Sequence, residues 1–487
     1  MLLPPSLSDW LAEDHLAWFV IDAVKQLDLS EFYASYRDDG WGRAAHHPEM
    51  MVTLLVYAYS TGVMSSRRIE QACQSDVAFR VITANVQPDH TTIARFRRRH
   101  VEALKDLFVQ TLRLCAEAGL VRVGLVALDG TKIAGAASLD SNRSRSFIDD
   151  AVEAMFADAD TADDADDAAG DDNEPPAAMR GRTARQARFR AAKAVLDQRE
   201  AAERSVFDAK IRDRQARDDE MLARTGHRMN GRKPGPFKPK PGVRVNVVDP
   251  DSRVMKTKHR YLQGFNAQAI ATEDQIIIAA EVCNDGGDTH QFHPMIRVAH
   301  DILGEAGVTD RIGVVVADAG YLHDNNLTIE GGPEVLIATR NRRNTPADDQ
   351  CAPRGRIPKS ATPRQRMDRK LSTKRGRQLY RKRSAMIEPV FGQIKHNRGQ
   401  REFLLRGLDG VNLEWKLWCT THNLLKLFRA ATIARPSAHR ADSDIERSLR
   451  PIDRHDDNEI IINALRNTHP GWAANTPMGH KHSHNMR

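Results

Sequence analysis

Two acids in this chain stand in matching places. In "VALDGTKIAGA" (126–136) the apolar run Val126–Leu128 ends on Asp129, and in "VVVADAGY" the run Val314–Ala317 ends on Asp318, followed by the small residues Ala319 and Gly320. Such runs read as buried strands, and a carboxylate at the tip of one is costly to desolvate without a positive partner. If the strands are sheet neighbours the acids repel, and a divalent cation between them, or one raised pKa, relieves the repulsion. Hard carboxylate oxygens with open water positions suit Mg2+ or Mn2+. Either aspartate alone also reads as a simple turn cap. A third acid tips the balance. In "SAMIEPVFGQIKH" Glu388 lies in a helix whose Ile387, Val390, Phe391 and Ile394 face a core, next to Pro389, which kinks or begins the regular helix. Lys395 follows about two turns later on the same face. An acid for metal and a base for phosphate, in a basic segment, are groups for phosphodiester chemistry.

Charge is unevenly spread. The net charge is +7, yet residues 149–174 hold 12 acids and no base, while residues 340–406 hold 20 Lys or Arg against five acids. A charge run is commonly a solvated face, but like charges sustained over such a length point to a polyanion, nucleic acid first. Arg340, Arg342 and Arg343 open the 340–383 segment, the best candidate for a DNA groove. Arg95, Arg97, Arg98 and Arg99 form a second group, in the first two turns of a helix read over "TTIARFRRRHVEALKDLFVQTLRLCAEAG". Basic residues there oppose the macrodipole, so they are either an exposed basic face or a place where an external anion binds.

The elements that must position these residues follow from periodicity. The chain has 487 residues, 41% hydrophobic and 28% charged, enough for two or three domains. No stretch reaches the roughly 18 apolar residues of a membrane span, and the N-terminus carries no export signal. Five scattered cysteines without a CxxC pair point to a reducing cytosol and away from a structural zinc. Residues 1–120 read as a helical domain. Strand signals begin at 121–137, stop for a charged insertion at 138–235, and resume over 236–432 with helices between and after them. The acidic half of the insertion reads as disordered, and its second half, about 183–225, as a long exposed charged helix or helical hairpin. "VRVNVVDPDSRVMKTK" and "FNAQAIATEDQIIIAAEV" read as two hairpins, with Ile276–Ile278 in a buried central strand. Trp415, Trp418 and Leu424 read as core, Asp288 as a helix cap first and as a group supporting the acid site second, and residues 433–487 as a flexible tail. The fold class is α/β, a helical N-terminal domain followed by a mixed β-sheet flanked by helices.

In order along the chain, "PDHTTIARFRRRH", "LDGTKIAGAAS", "VADAGY" and "IEPVFGQIKHNRG…FLLRGLDGV…E" resemble the blocks of the DDE transposases of bacterial insertion sequences. That resemblance covers most of the chain and implies a ribonuclease H-like catalytic domain. It implies that Asp129, Asp318 and Glu388 are the metal-binding triad and that Tyr380, Arg383, Glu388 and Lys395 are the Tyr–Arg–Glu–Lys signature. Four residues separate Arg383 from Glu388, where the commonest form of the signature has three. The activity implied is DNA strand cleavage and strand transfer with Mg2+ or Mn2+, two ions, at the element's ends. The partners implied are double-stranded DNA, both transposon ends and target, with a homodimer assembled on DNA, no membrane, and a cytoplasmic, nucleoid-associated setting. A same-fold nuclease that only hydrolyses DNA and a catalytically inactive DNA-binding derivative are the alternatives.

Overall fold

The computed structural model describes residues 7–36, 45–166, 177–228, 231, 234–257, 260–339 and 355–434. The expected tail from 435 onward, and Arg340, Arg342 and Arg343, lie outside the described residues. The N-terminal helices are α1 (Leu16–Lys25), α2 (Ser30–Tyr33), α3 (Pro48–Ser60), α4 (Ser66–Ser75), α5 (Val77–Ile82), α6 (His90–Arg99) and α7 (Val101–Glu117). Pro48 opens α3 at its first turn, where its missing N–H costs nothing. Asp89 caps α6 by accepting from Thr91 and Thr92 N–H. The long helix expected across 91–118 is two helices, broken at His100. This break moves Arg97, Arg98 and Arg99 into the last turn of α6. Positive charge is favourable there, so the dipole argument for an external anion falls.

One mixed sheet carries the second half of the fold. Its strands are β1 (Leu125–Ala134), β4 (Arg253–Lys256), β5 (Tyr261–Thr272), β6 (Ile277–Cys283), β7 (Val314–Ala317) and β8 (Glu334–Ile337). The order is β4-β5-β1-β7-β8, with β6 also paired to β5. β1 runs antiparallel to β5 and parallel to β7, and β7 runs parallel to β8. The β5–β6 hairpin turns after Thr272, as its sequence predicts, with Gln275 at φ 65. β6 pairs only with β5, so it is not a central strand. Its apolar run is buried by α10 (Phe292–Glu305) and α13 (Leu408–Ala434). Residues 244–257 do not form the expected hairpin. β3 (Arg244–Asn246) pairs with β2 (Asn142–Ser144), while β4 pairs with β5.

In the insertion, α8 (Arg145–Asp166) packs on α9 (Ala177–Thr225), and residues 167–176 of the acidic stretch lie outside the described residues. Ile148, Val152, Phe189, Ala192, Leu196 and Val245 form a small core of their own at the base of this helical pair. Alternating charges elsewhere on α9 leave nearly all of 201–225 exposed or half-exposed.

α11 (Pro363–Ser372) and α12 (Lys374–Gly392) follow the sheet, and α12 packs across β1, β5 and β7. α13 then lies against α7, α3 and β6, with Trp415, Trp418 and Leu424 buried as expected. The N-terminal helices, the sheet and α13 thus share one hydrophobic core. The change at residue 120 is one of secondary structure, not of core.

Candidate active site

The register of two strands brings the first two acids together. Leu128 pairs with Ala317 across the parallel β1–β7 ladder, so Asp129 and Asp318 come next on adjacent strands. β7 ends there, while β1 runs on against β5 as far as Ala134. Asp129 therefore lies mid-strand, at the point where its neighbour leaves it, and only Asp318 is at a tip. Asp318 Oδ1 accepts from Gly320 N–H at 2.8 Å and caps a short turn over Ala319–Tyr321, so it caps a turn and faces the other acid as well.

The partner of Asp129 is an arginine. Arg383 Nη1 on α12 donates to Asp129 Oδ2 at 2.9 Å, and Asp129 Oδ1 accepts from Gly130 N–H at 2.8 Å. The second guanidinium nitrogen lies 3.5 Å from Glu388 Oε1. One cation therefore stands between the first and third acids. Burial pushes Asp129 up to about 6, Arg383 works against that shift, and Asp318 adds to it. Asp318 is raised as well, by burial first, with Gly320 N–H and Arg383 opposing and Asp288 reinforcing. Glu388 is 56% exposed and opens to solvent. Its neighbours Ile387, Val390 and Ile394 are buried, as the helix periodicity predicts.

α12 passes through Pro389 without ending. Proline leaves the carbonyl four residues back without its helical donor, and Gln275 Nε2 fills that role by donating to Ala385 O at 3.0 Å. A π-helical turn, Gln393–Asn397, follows. It sets Lys395 against β1, where Nζ donates to Thr131 Oγ1 at 2.5 Å and to Lys132 O at 2.8 Å. Burial pushes Lys395 down to about 8. Tyr380 is half-buried beside Arg383, and burial raises its pKa.

Asp288 is not the helix cap expected from the sequence, for its side chain makes no cap bond. Oδ1 accepts from Asn266 Nδ2 at 2.7 Å and from Gln268 Nε2 at 2.9 Å. Gly130 makes room for this group: a methyl there would lie 2.2 Å from Gln268 Nε2 and 2.6 Å from Asp288 Oδ1. A methyl on Gly320 would lie 2.9 Å from Asp318 Oδ1 and 3.1 Å from Asp288 Oδ2. Tyr321 Oη donates to Gln268 Oε1, and Thr289 Oγ1 donates to Gly320 O at 2.9 Å. The sequence signal for this network is the period-two pair Asn266 and Gln268, set among the alanines and Phe265 and Ile270 of β5.

The basic residues divide. Arg97 is 5% exposed and is no candidate for a DNA contact. Its guanidinium donates to Tyr59 Oη at 2.8 Å, to Met64 O at 3.0 Å and to Ser66 Oγ. Arg95, Arg98 and Arg99 are exposed, Arg99 donating to Ser35 O. In the described part of 340–383, Arg364 donates to Thr339 O, Arg366 to Ala361 O and Lys359 O, and Arg375 pairs with Glu334. Part of that positive charge is spent inside the fold.

Among the described residues no three His, Cys, Asp or Glu side chains already form a metal cage, and no helix is long and apolar enough to cross a membrane. No curated protein and no solved structure matches the chain. Residues 5–99 match the family model of a transposase domain (DUF772), and residues 349–428 match that of a transposase DDE domain. With the first match over the N-terminal helices and the second over the segment that holds Tyr380, Arg383, Glu388 and Lys395, the two together support a DDE transposase of an insertion element.

Proposed function

We propose that Asp129, Asp318 and Glu388 form the active site of a transposase that cleaves DNA strands at the ends of its element and joins them to target DNA. One observation carries this reading: a single guanidinium, Arg383, bridges Asp129 and Glu388 beside Asp318. A cation is what these acids need, and the arginine stands in for it. Oxygen donors on two adjacent strands and a solvent-facing glutamate fit Mg2+ or Mn2+, which would enter once Arg383 turned to a phosphate. Asp129 and Asp318 would hold one ion and Asp129 and Glu388 a second. When bound, such ions supply an activated attacking oxygen and charge stabilisation at the leaving 3′ oxygen.

The residues of the chain do the rest. Arg383, freed from the acids, would pair with the phosphate at the cut, for which its planar fork is suited. Lys395 is still mostly protonated near neutral pH with its pKa at about 8, and its amine meets β1 at Thr131, two residues past Asp129, where it would contact a neighbouring phosphate. Tyr380, beside Arg383, would pack on the terminal nucleotide. Arg95, Arg98 and Arg99 would hold the element's DNA from α6, and exposed bases of 355–383 would hold it near the cleft. Two copies on DNA would bring two ends together, in the cytoplasm at the nucleoid. A ribonuclease H-like architecture is supported by the strand order, a β5–β6 hairpin on one side of β1 and parallel β7 and β8 on the other.

The test uses the full chain, Mn2+ or Mg2+, and a duplex carrying the element's terminal repeat. The expected result is a nick at the end and, with target DNA, a joined product. Asp129→Asn, Asp318→Asn and Glu388→Gln should each abolish both while binding the duplex. Nicking without joining would make the chain a nuclease, and cleavage retained by Asp129→Asn would remove the assignment.

A further inference from the structure

Two buried amides and a buried tyrosine are built around one carboxylate. Asn266 is fully buried in β5, its Oδ1 has no hydrogen-bond partner, and its side-chain N–H donates to Asp288. Burying an amide is unfavourable unless it is bonded, so this asparagine is spent on Asp288 alone. Gln268, also buried, donates to the same oxygen while accepting from Tyr321 Oη, which fixes which end of its amide faces the acid. Asp288 Oδ2 is left out of these bonds. It lies against Gly320, in the turn whose N–H holds Asp318 Oδ1.

Resting on the active-site reading above, we infer that Asp288 is a positioning residue for the divalent-cation site of Asp129 and Asp318. It acts in two ways. Its negative charge beside Asp318 deepens the potential that draws a cation. Its contacts with Gly130 and Gly320 fix the backbone that presents both acids. Groups that hold metal ligands in this indirect way typically change metal affinity by about 10- to 100-fold when altered. A loop tie alone would need only the accepting oxygen, and Oδ1 already supplies it. Charge is the property that separates the two roles.

Asp288→Asn tests this, because it keeps an oxygen for Asn266 and Gln268 and removes only the charge. Mn2+ titrated into the full chain without DNA, with free Mn2+ read by electron paramagnetic resonance, gives the affinity without relying on activity. The expected result is a loss of about tenfold or more in Asp288→Asn, with an unchanged melting temperature, and loss of the site in Asp129→Asn. Wild-type affinity in Asp288→Asn, with the site lost in Asp129→Asn, would overturn the inference and leave the active-site reading standing. An unchanged site in Asp129→Asn would instead overturn the active-site reading. If Asp288→Asn does not fold, Asp288→Ser carries the test, because its hydroxyl oxygen can still accept from a buried amide while the charge is gone. It should weaken Mn2+ binding severalfold, and wild-type affinity there would sink the proposal.

Discussion

Arg383 lies over the middle of β1 beside the end of β7 with 16% of its side chain exposed, while Arg97 lies 5% exposed where α6 meets α3. Each has a buried acid nearby whose pKa burial raises: Asp129 to about 6 beside Arg383, and Glu414 to about 7 in the field of Arg97. The partners differ. Glu414 is fully buried on α13, and its Oε2 accepts from Leu404 and Leu405 N–H at 2.8 and 2.9 Å, so its place is fixed by backbone. Asp129 is 19% exposed and meets a long side chain that can swing away. Burial and a raised pKa are common to a structural acid and a site acid, so they do not distinguish them. What distinguishes them is whether the counter-charge can leave and let a substrate take its place.

The strongest way to break this comparison is to neutralise an acid on each side. Glu388→Gln should lower strand cleavage by about a thousandfold or more with no change in melting temperature, whereas Glu414→Gln should leave cleavage by folded protein intact. Equal loss of cleavage in both would erase the distinction. Exchanging the arginines comes next. Arg97→Met should destabilise the fold by roughly 3–5 kcal/mol in urea denaturation, because Tyr59, Ser66 and Met64 O lose a buried donor at once. Arg383→Met should cost far less stability and show its effect in cleavage.

A pH series sharpens the contrast. Burial lifts Glu414 from its ordinary value of 4.5 to about 7 in the folded chain. Between those values the unfolded chain releases a proton that the folded chain keeps, so stability falls as pH rises through this window, by about 3 kcal/mol in all. His422, held down to about 3 by burial, acts oppositely and loses stability as pH falls below its ordinary value near 6.5. The difference between wild type and Glu414→Gln isolates the glutamate: it should shift in favour of the variant from pH 5 to pH 8. A flat difference would show that Glu414 is already ionised when folded. The smallest effect belongs to the exposed arginines. Arg95→Ala and Arg98→Ala should each lower the salt slope of DNA binding by about 1, with stability unchanged, and no change in slope would return them to a solvated basic face.

Several of these assignments were legible without coordinates. Apolar runs that end on Asp129 and Asp318, the amphipathic face around Glu388, and the core character of Trp415 and Trp418 are properties of residue type and period, and they hold. A local pattern with two tertiary outcomes is not legible in this way. A run of four arginine positions does not say which side chain turns inward, and Arg97 does because α3 and α4 offer it Tyr59 and Ser66. An apolar run such as 276–278 suits a central strand or an edge covered by helices, and α10 and α13 decided for the edge.

By itself the sequence determined which residues could do chemistry here, because carboxylates, arginines and lysine in apolar or basic contexts carry their chemistry with them. It also determined most elements, because hydrophobic period and turn residues act over a few positions. Only the tertiary structure decided which buried group meets which. Asp129 meets Arg383 across 254 residues of chain, and Asp288 meets Asn266 and Gln268 because β6, in register with β5, ends opposite Asn266 and leads into the loop that holds it. Register is set by the packing of the whole sheet, and no local window contains it.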